Sequence, residues 1–337
     1  MIRTTVVGSW PIPRNLKPQL TAYYKGALDD EQAHDALQAA ARIAMDEQRT
    51  CGLDQIMGGE VFAPDFVHHV PPRLAGIRCL KPRDHRAGYE GIASYVIEGD
   101  ITAPRGTGHA LAYRREKAIE PRLDKAAVPA PLTMTIPYLG DPRREEQMEN
   151  VARVVEAEVL DMAAAGAAEV QLDAPAEAVA LLTGAQGTED VLRWLLVPFR
   201  KATRIRRTIH FCLGDMGRRP FTQEQNLHAL LPVLRALDRR VDRVHLECSY
   251  AGQWMERDLL AEVPASIEII AGIADVKREP QGADELREKI AALREVIPDE
   301  RLLVSSSCGC GRMTAEDARA LMTNLVQAAR SGGFHDE

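Results

Sequence analysis

The sequence predicts an α/β fold, a (β/α)8 TIM barrel that carries an excursion between its second and third strands. Three observations predict it. Eight short apolar segments read as strands, most of them followed by a helical stretch. Repeated strand–helix alternation implies parallel strands. The 337 residues are enough to close such a barrel as one domain spanning 1–337. An open doubly wound sheet is the competing arrangement.

The first strand is TTVVGS, Thr4 to Ser9, ended by Gly8 and the prolines that follow. A helix is expected from Glu31 to Glu47, with Leu37, Ala40, Ala44 and Met45 on one face. LDQIMGGE, Leu53 to Glu60, reads as a second strand ending at a glycine pair and a carboxylate. Residues 61–128, dotted with proline and arginine, form the excursion, and GIASYVIEGDI within them reads as a hairpin or an extra strand. PLTMTIP (131–137) is expected as the third strand, with a helix over 145–165. AEVQLDAP, RTIHFC, RVHLEC, the 268–275 segment and RLLVSSSCG supply five more strands, with helical stretches between and after them. Thr314 and Asp317 form a capping pair for the last helix.

Composition limits the function. Apolar residues make up 45% and charged residues 27%, and the net charge is −7, so the basic excess of a nucleic-acid binder is missing. No apolar run has membrane-spanning length and the N-terminus lacks a signal-peptide pattern, which predicts a cytoplasmic protein with no membrane partner. The six cysteines are expected to be reduced thiols.

Polar residues gather at strand ends: Ser9, Glu60, Asp173, His210, Cys212, Glu247, Asp275 and Cys308. In a barrel these ends converge on one mouth, where active sites form. His210 and Cys212 are two apart on one strand and so share a face. With Glu247 and Cys308 they offer one nitrogen, two sulfurs and one oxygen, a donor set suited to zinc. Buried cysteines are also commonly inert packing residues. Cys248 should face away from Glu247, and Cys310 reads as a spare thiol, a core residue or an alternative ligand.

The order of motifs resembles the cobalamin-independent methionine synthase family, in particular its catalytic zinc barrel. VVGSWP is similar to that family's Ile-Gly-Ser-Phe-Pro segment, GLDQIMGGE to its Gly-Leu-Asp to Gly-Glu strand, and VQLDAP to its Gln-Ile-Asp-Glu-Pro segment. IHFC matches its His-x-Cys element, VHLE the strand carrying a glutamate ligand, and SSSCGCG its Asn-Pro-Asp-Cys-Gly segment. The resemblance implies a Zn2+ held by His210, Cys212, Glu247 and Cys308, and a methyl transfer to a thiol acceptor, first of all homocysteine, to give methionine. It also implies that Gly8, Ser9, Glu60 and Asp173 hold the amino-acid part of the substrate.

Two departures bear on the donor. The family carries a histidine after the aspartate of its seventh strand, which protonates the departing folate; here Asp275 is kept and Lys277 takes the histidine's place. The family's pterin-stacking tryptophan is missing from IPYLGDPRREE, where Tyr138 is the nearest aromatic. These departures predict Asp275 and Lys277 as the catalytic pair and a non-folate donor, with a corrinoid protein as partner. An alternative is alkyl transfer to another thiol such as coenzyme M from an epoxide. Further alternatives are a metal-free decarboxylase-like barrel and a corrinoid-protein-binding module. The insertion GDMGRRPF is expected to form an extra loop over the mouth.

Overall fold

A computed structural model describes residues 1–63, 67–81, 94–215, 218–223, 225–249 and 251–331. Its centre is a seven-stranded sheet of β1 (Arg3–Thr4), β4 (Lys125–Pro129), β5 (Glu169–Asp173), β6 (Arg206–Phe211), β7 (Arg243–Glu247), β8 (Glu268–Ala274) and β9 (Leu302–Ser306). The order is β1-β9-β8-β7-β6-β5-β4, with every neighbouring pair parallel. The sheet curls until its two edges meet through side chains. Lys125 of β4 reaches across to donate to the Val6 carbonyl at 2.8 Å, and Gln171 of β5 donates to the Val7 carbonyl at 3.0 Å.

The expected second strand is not part of the sheet. Residues 53–60 lie along the β1 edge, where Gln55 N–H donates to the Thr4 carbonyl at 3.1 Å and Trp10 N–H to the Gly59 carbonyl at 3.2 Å. A single parallel bridge joins Ser9 and Gly59. The reason lies in α2 (His34–Thr50). Its buried Gln48 donates to the Met57 carbonyl and accepts from the Met57 N–H, both at 2.9 Å. A side-chain amide thus satisfies the backbone groups that a neighbouring strand would otherwise use.

The third expected strand is also displaced. Residues 131–134 form a short helix, α4 (Pro131–Met134), and the strand is KAAVP, Lys125–Pro129, just before it. Pro131 is pre-set for a first helical turn. The Glu177 carboxylate accepts from Leu132 N–H at 2.8 Å and from the Thr133 hydroxyl at 2.5 Å, which satisfies that turn's free donors.

Within 61–128, β2 (Ala75–Lys81) and β3 (Ser94–Thr102) pair antiparallel as a ribbon outside the main sheet, and residues 91–93 of the expected hairpin lie outside the described ones. The ribbon is followed by α3 (His109–Ile119), and β4 takes up the end of the stretch. The outer helices include α5 (Met148–Ala164), α6 (Pro175–Leu182), α10 (Ala283–Arg294) and α11 (Ala315–Ser331). Asp317 N–H donates to Thr314 Oγ1 at 3.1 Å at the start of α11, the cap expected there. Among the described residues, no helix is long and apolar enough to cross a membrane.

Candidate active site

Alternation along the strands selects which side chains enter the sheet's interior. Glu169, Gln171 and Asp173 do so from β5, Thr208 and His210 from β6, and Arg243, His245 and Glu247 from β7. At the N-terminal end of the strands they form a charged layer. Arg243 lies 2.7 Å from Glu169 and 2.5 Å from Glu268, and Thr208 donates to Glu169 at 2.8 Å. At the C-terminal end the residues change to sulfur, imidazole and the carboxylates of Asp173 and Glu247.

His210, Cys212 and Cys308 come together there, with one ligand atom from each lying within 4.8 Å of the others. The two sulfurs are 4.0 Å apart. Two thiolates on a tetrahedral zinc with Zn–S bonds of about 2.3 Å would stand about 3.8 Å apart, so the spacing fits that ion. Among the described residues, neither ring nitrogen of buried His210 has a hydrogen-bond partner. Burial, helped by the Lys125 charge, lowers its pKa to about 3, leaving a neutral imidazole with a lone pair to give. The Cys308 contact and burial hold the Cys212 thiol well above its ordinary value, a state that a cation would reverse.

Glu247 stands just outside this trio. Its Oε1 accepts from Lys277 Nζ at 2.5 Å and its Oε2 from the Leu213 N–H at 2.8 Å, so it braces the residue after Cys212. Burial pulls the Lys277 pKa down, but the Glu247 carboxylate and both cysteines outweigh it and hold the ammonium above the ordinary lysine range. Asp275 turns the chain after β8 by accepting from Lys277 N–H at 2.8 Å. Cys310 is buried but is not part of the trio; its N–H donates to the Ser9 carbonyl at 2.9 Å. Cys248 is buried in the core. In the 213–220 loop, Arg218 N–H donates to Asp215 at 2.6 Å and its guanidinium lies 3.8 Å from Glu279; residues 216–217 are outside the described ones.

Sequence reasoning missed His245. It pairs in register with His210, the two rings sit 4.3 Å apart at 46°, and its Nε2 donates to the Ser306 carbonyl at 3.1 Å. The signal was present in VHLE, where His245 and Glu247 are two apart and so share a face.

Beside the trio, across β5, lies a cleft lined by Met57, Gly58, Glu60, Glu116, Pro129 and Asp173. Glu60 is a non-glycine residue with φ 59°, a conformation that L residues rarely adopt. A Cβ on Gly8 would stand 2.1 Å from Glu60 Oε1, so only glycine lets that carboxylate lie against the first strand's extension. Ser9 is held by the 309–311 turn, where a Cβ on Gly309 would stand 2.1 Å from its hydroxyl. Asp173 accepts from the Gln171 amide at 2.6 Å. Burial and the Glu116 charge raise the Glu60 pKa to about 7, and burial raises Glu116 to about 8. Burial and the Glu60 charge push Asp173 well above its ordinary value. Glu116, on α3 within the expected excursion, had no sequence signal.

The family model described as "Cobalamin-independent synthase, Catalytic domain" matches residues 2–331. The chain belongs to the cobalamin-independent methionine synthase family. Curated members similar to it include the 5-methyltetrahydropteroyltriglutamate–homocysteine methyltransferases of Trichodesmium erythraeum, 26% identical, and Nitratidesulfovibrio vulgaris, 27% identical. Each alignment covers 97% of this chain, which spans less than half the length of those relatives, 43% and 41%. Among solved structures, the B12-independent methionine synthase of Shewanella sp. W3-18-1 in complex with selenomethionine has a TM-score of 0.78 at 18% identity, covering 98% of this chain and 97% of that one. The putative vitamin-B12-independent methionine synthase of Listeria monocytogenes has a TM-score of 0.71, also at 18% identity, covering the whole of both chains. The corrinoid donor and corrinoid-protein partner expected from the departures find no support among these relatives: the curated ones are named for a methyltetrahydropteroyltriglutamate donor and the solved ones are called B12-independent.

Proposed function

We propose that this chain is a zinc-dependent methyltransferase that methylates the thiol of homocysteine to give methionine, taking the methyl group from a methyltetrahydropteroyl donor. The observation that carries this reading is the His210–Cys212–Cys308 trio beside a cleft lined by the carboxyl groups of Glu60, Glu116 and Asp173. We assign the zinc to these three residues with Glu247 as fourth ligand, and residues 53–60 to the eighth position of a barrel formed by the single domain. Zinc bound there lowers the pKa of a thiol, so that a thiolate nucleophile exists at neutral pH.

The chain's own residues do the rest. Glu60 and Asp173 bind the substrate ammonium, and the backbone around Gly8 and Ser9 receives its carboxylate. Lys277 holds Glu247 charged and oriented, with Asp275 fixing the turn that carries Lys277. His245 props the His210 ring from behind. Tyr138 is buried in the core and offers no open face for a pterin, so the donor's ring must rest on other groups. Coenzyme M fits poorly as acceptor, because its sulfonate would face the carboxyl groups of Glu60 and Asp173. A decarboxylase-like barrel would have no use for two sulfurs beside an unpartnered imidazole.

The test is turnover by zinc-loaded protein given homocysteine and either methyltetrahydropteroyltriglutamate or methylcobalamin. Methionine should form faster from the pteroyl donor. Failure to form methionine from either donor would reject the reading.

A further inference from the structure

Glu116 has no role in the reading above, yet its placement calls for one. It is 8% exposed, lines the cleft that Glu60 and Asp173 share, and has no hydrogen-bond donor on its carboxylate among the described residues. A carboxylate taken out of water without a donor is costly. The backbone makes room for it: a Cβ on Gly58 would stand 1.9–2.4 Å from the carboxyl atoms of Glu116, so the carboxyl group lies against the Gly58 backbone and any side chain there would expel it.

The other polar groups of the cleft are satisfied within the protein. Tyr113 donates its hydroxyl to the Leu123 carbonyl at 2.9 Å, and His109 Nδ1 lies 2.8 Å from Thr107 Oγ1. Lys125, the nearest buried cation on β4, spends its ammonium on the Val6 carbonyl at 2.8 Å and on Thr5 at 3.4 Å. Among the described residues no protein group supplies the donors that Glu116 and Glu60 need as carboxylates, so a cationic group placed in the cleft would pair with them. The charge of Glu116 is felt at Glu60, and that of Glu60 at Asp173, so the three act as one electrostatic site.

We propose that Glu116 is a specificity-determining residue of the substrate cleft, a third carboxylate that joins Glu60 and Asp173 in holding a cationic amino group and makes that group a requirement for binding. The proposal rests on the reading of this cleft as the seat of the substrate's amino-acid part. It goes further in naming a residue outside the motifs that carry that reading, and in making selectivity for a charged amine its function. A thiol ligand with a carboxylate but no amine would bring a negative charge to three carboxyl groups whose ionisation burial already disfavours, and no cation to offset it.

The experiment is calorimetric titration of zinc-loaded protein with homocysteine and with 4-sulfanylbutanoate, which keeps the thiol and the carboxylate and lacks the amine. Wild type should bind homocysteine more tightly. Glu116→Gln should weaken homocysteine binding by about 10- to 100-fold, the loss of one charge-assisted contact. It should leave 4-sulfanylbutanoate unchanged or bound more tightly, with zinc content retained. Gly58→Ala, which displaces Glu116 without changing its charge, should lose homocysteine affinity in the same direction. Unchanged homocysteine binding in Glu116→Gln, or an equal loss for both ligands, would overturn the inference and leave the proposed function standing. Absence of homocysteine binding in wild type would overturn both.

Discussion

Replacing Cys212 or Cys308 with serine should reduce bound zinc from about one per chain to a small fraction of that and abolish methyl transfer. The sulfurs are 4.0 Å apart at the end of two strands, close to the spacing that a shared tetrahedral zinc requires. A serine hydroxyl does not ionise near neutral pH and is a far poorer zinc ligand than a thiolate. Cys310→Ser is the matched control. Cys310 is buried, as Cys212 is, but it belongs to the turn that packs on Ser9 and lies outside the trio, so zinc content should be retained. Metal analysis of the three variants after identical loading checks this. Full zinc in both Cys212→Ser and Cys308→Ser would reject the assignment.

Lys277→Met should produce the second large effect, and in metal-free protein it should appear as lost stability. The Lys277 and Glu247 side chains are 1% and 0% exposed and 2.5 Å apart. Removing one partner of such a pair strands a buried charge, at a cost of about 3–5 kcal/mol. Zinc offers Glu247 another cation, so zinc loading should recover much of the loss. Adding Glu247→Gln removes the stranded charge, and the double variant should be more stable than Lys277→Met alone. Denaturant titrations of the metal-free and zinc-loaded forms separate this positioning role from a proton-donating one. A lysine acting only as an acid would leave stability almost untouched and depress turnover instead.

How much of this was legible in the sequence depends on how local each signal was. His210 and Cys212 are neighbours on one strand face, so parity alone placed them together. The parallel strands from β5 to β9 were legible because each is a short, mostly buried segment with β-branched or other apolar residues at alternate positions or in a run, set between helical stretches. β4 was hidden by its own composition, since KAAVP is small, carries a buried lysine whose ammonium is received by the Val6 carbonyl and Thr5, and ends in proline. PLTMTIP looked like the better strand, and only the distant Glu177 makes its start helical. The 53–60 segment lost its ladder to Gln48, a residue whose role no pattern in the chain announces. Glu247 was found as a strand-end acid, but its partnership with Lys277 depends on how the turn after β8 folds. Glu116 enters the cleft from a helix that follows the excursion ribbon, through a gap left by a glycine. No spacing rule connects the two.

Zinc-edge X-ray absorption, recorded with and without homocysteine, tests the central claim most directly. The account predicts a zinc with two sulfur neighbours at about 2.3 Å in the protein alone, and a third sulfur when homocysteine is added. A sulfur count that homocysteine leaves unchanged, or a zinc surrounded only by nitrogen and oxygen, would contradict it.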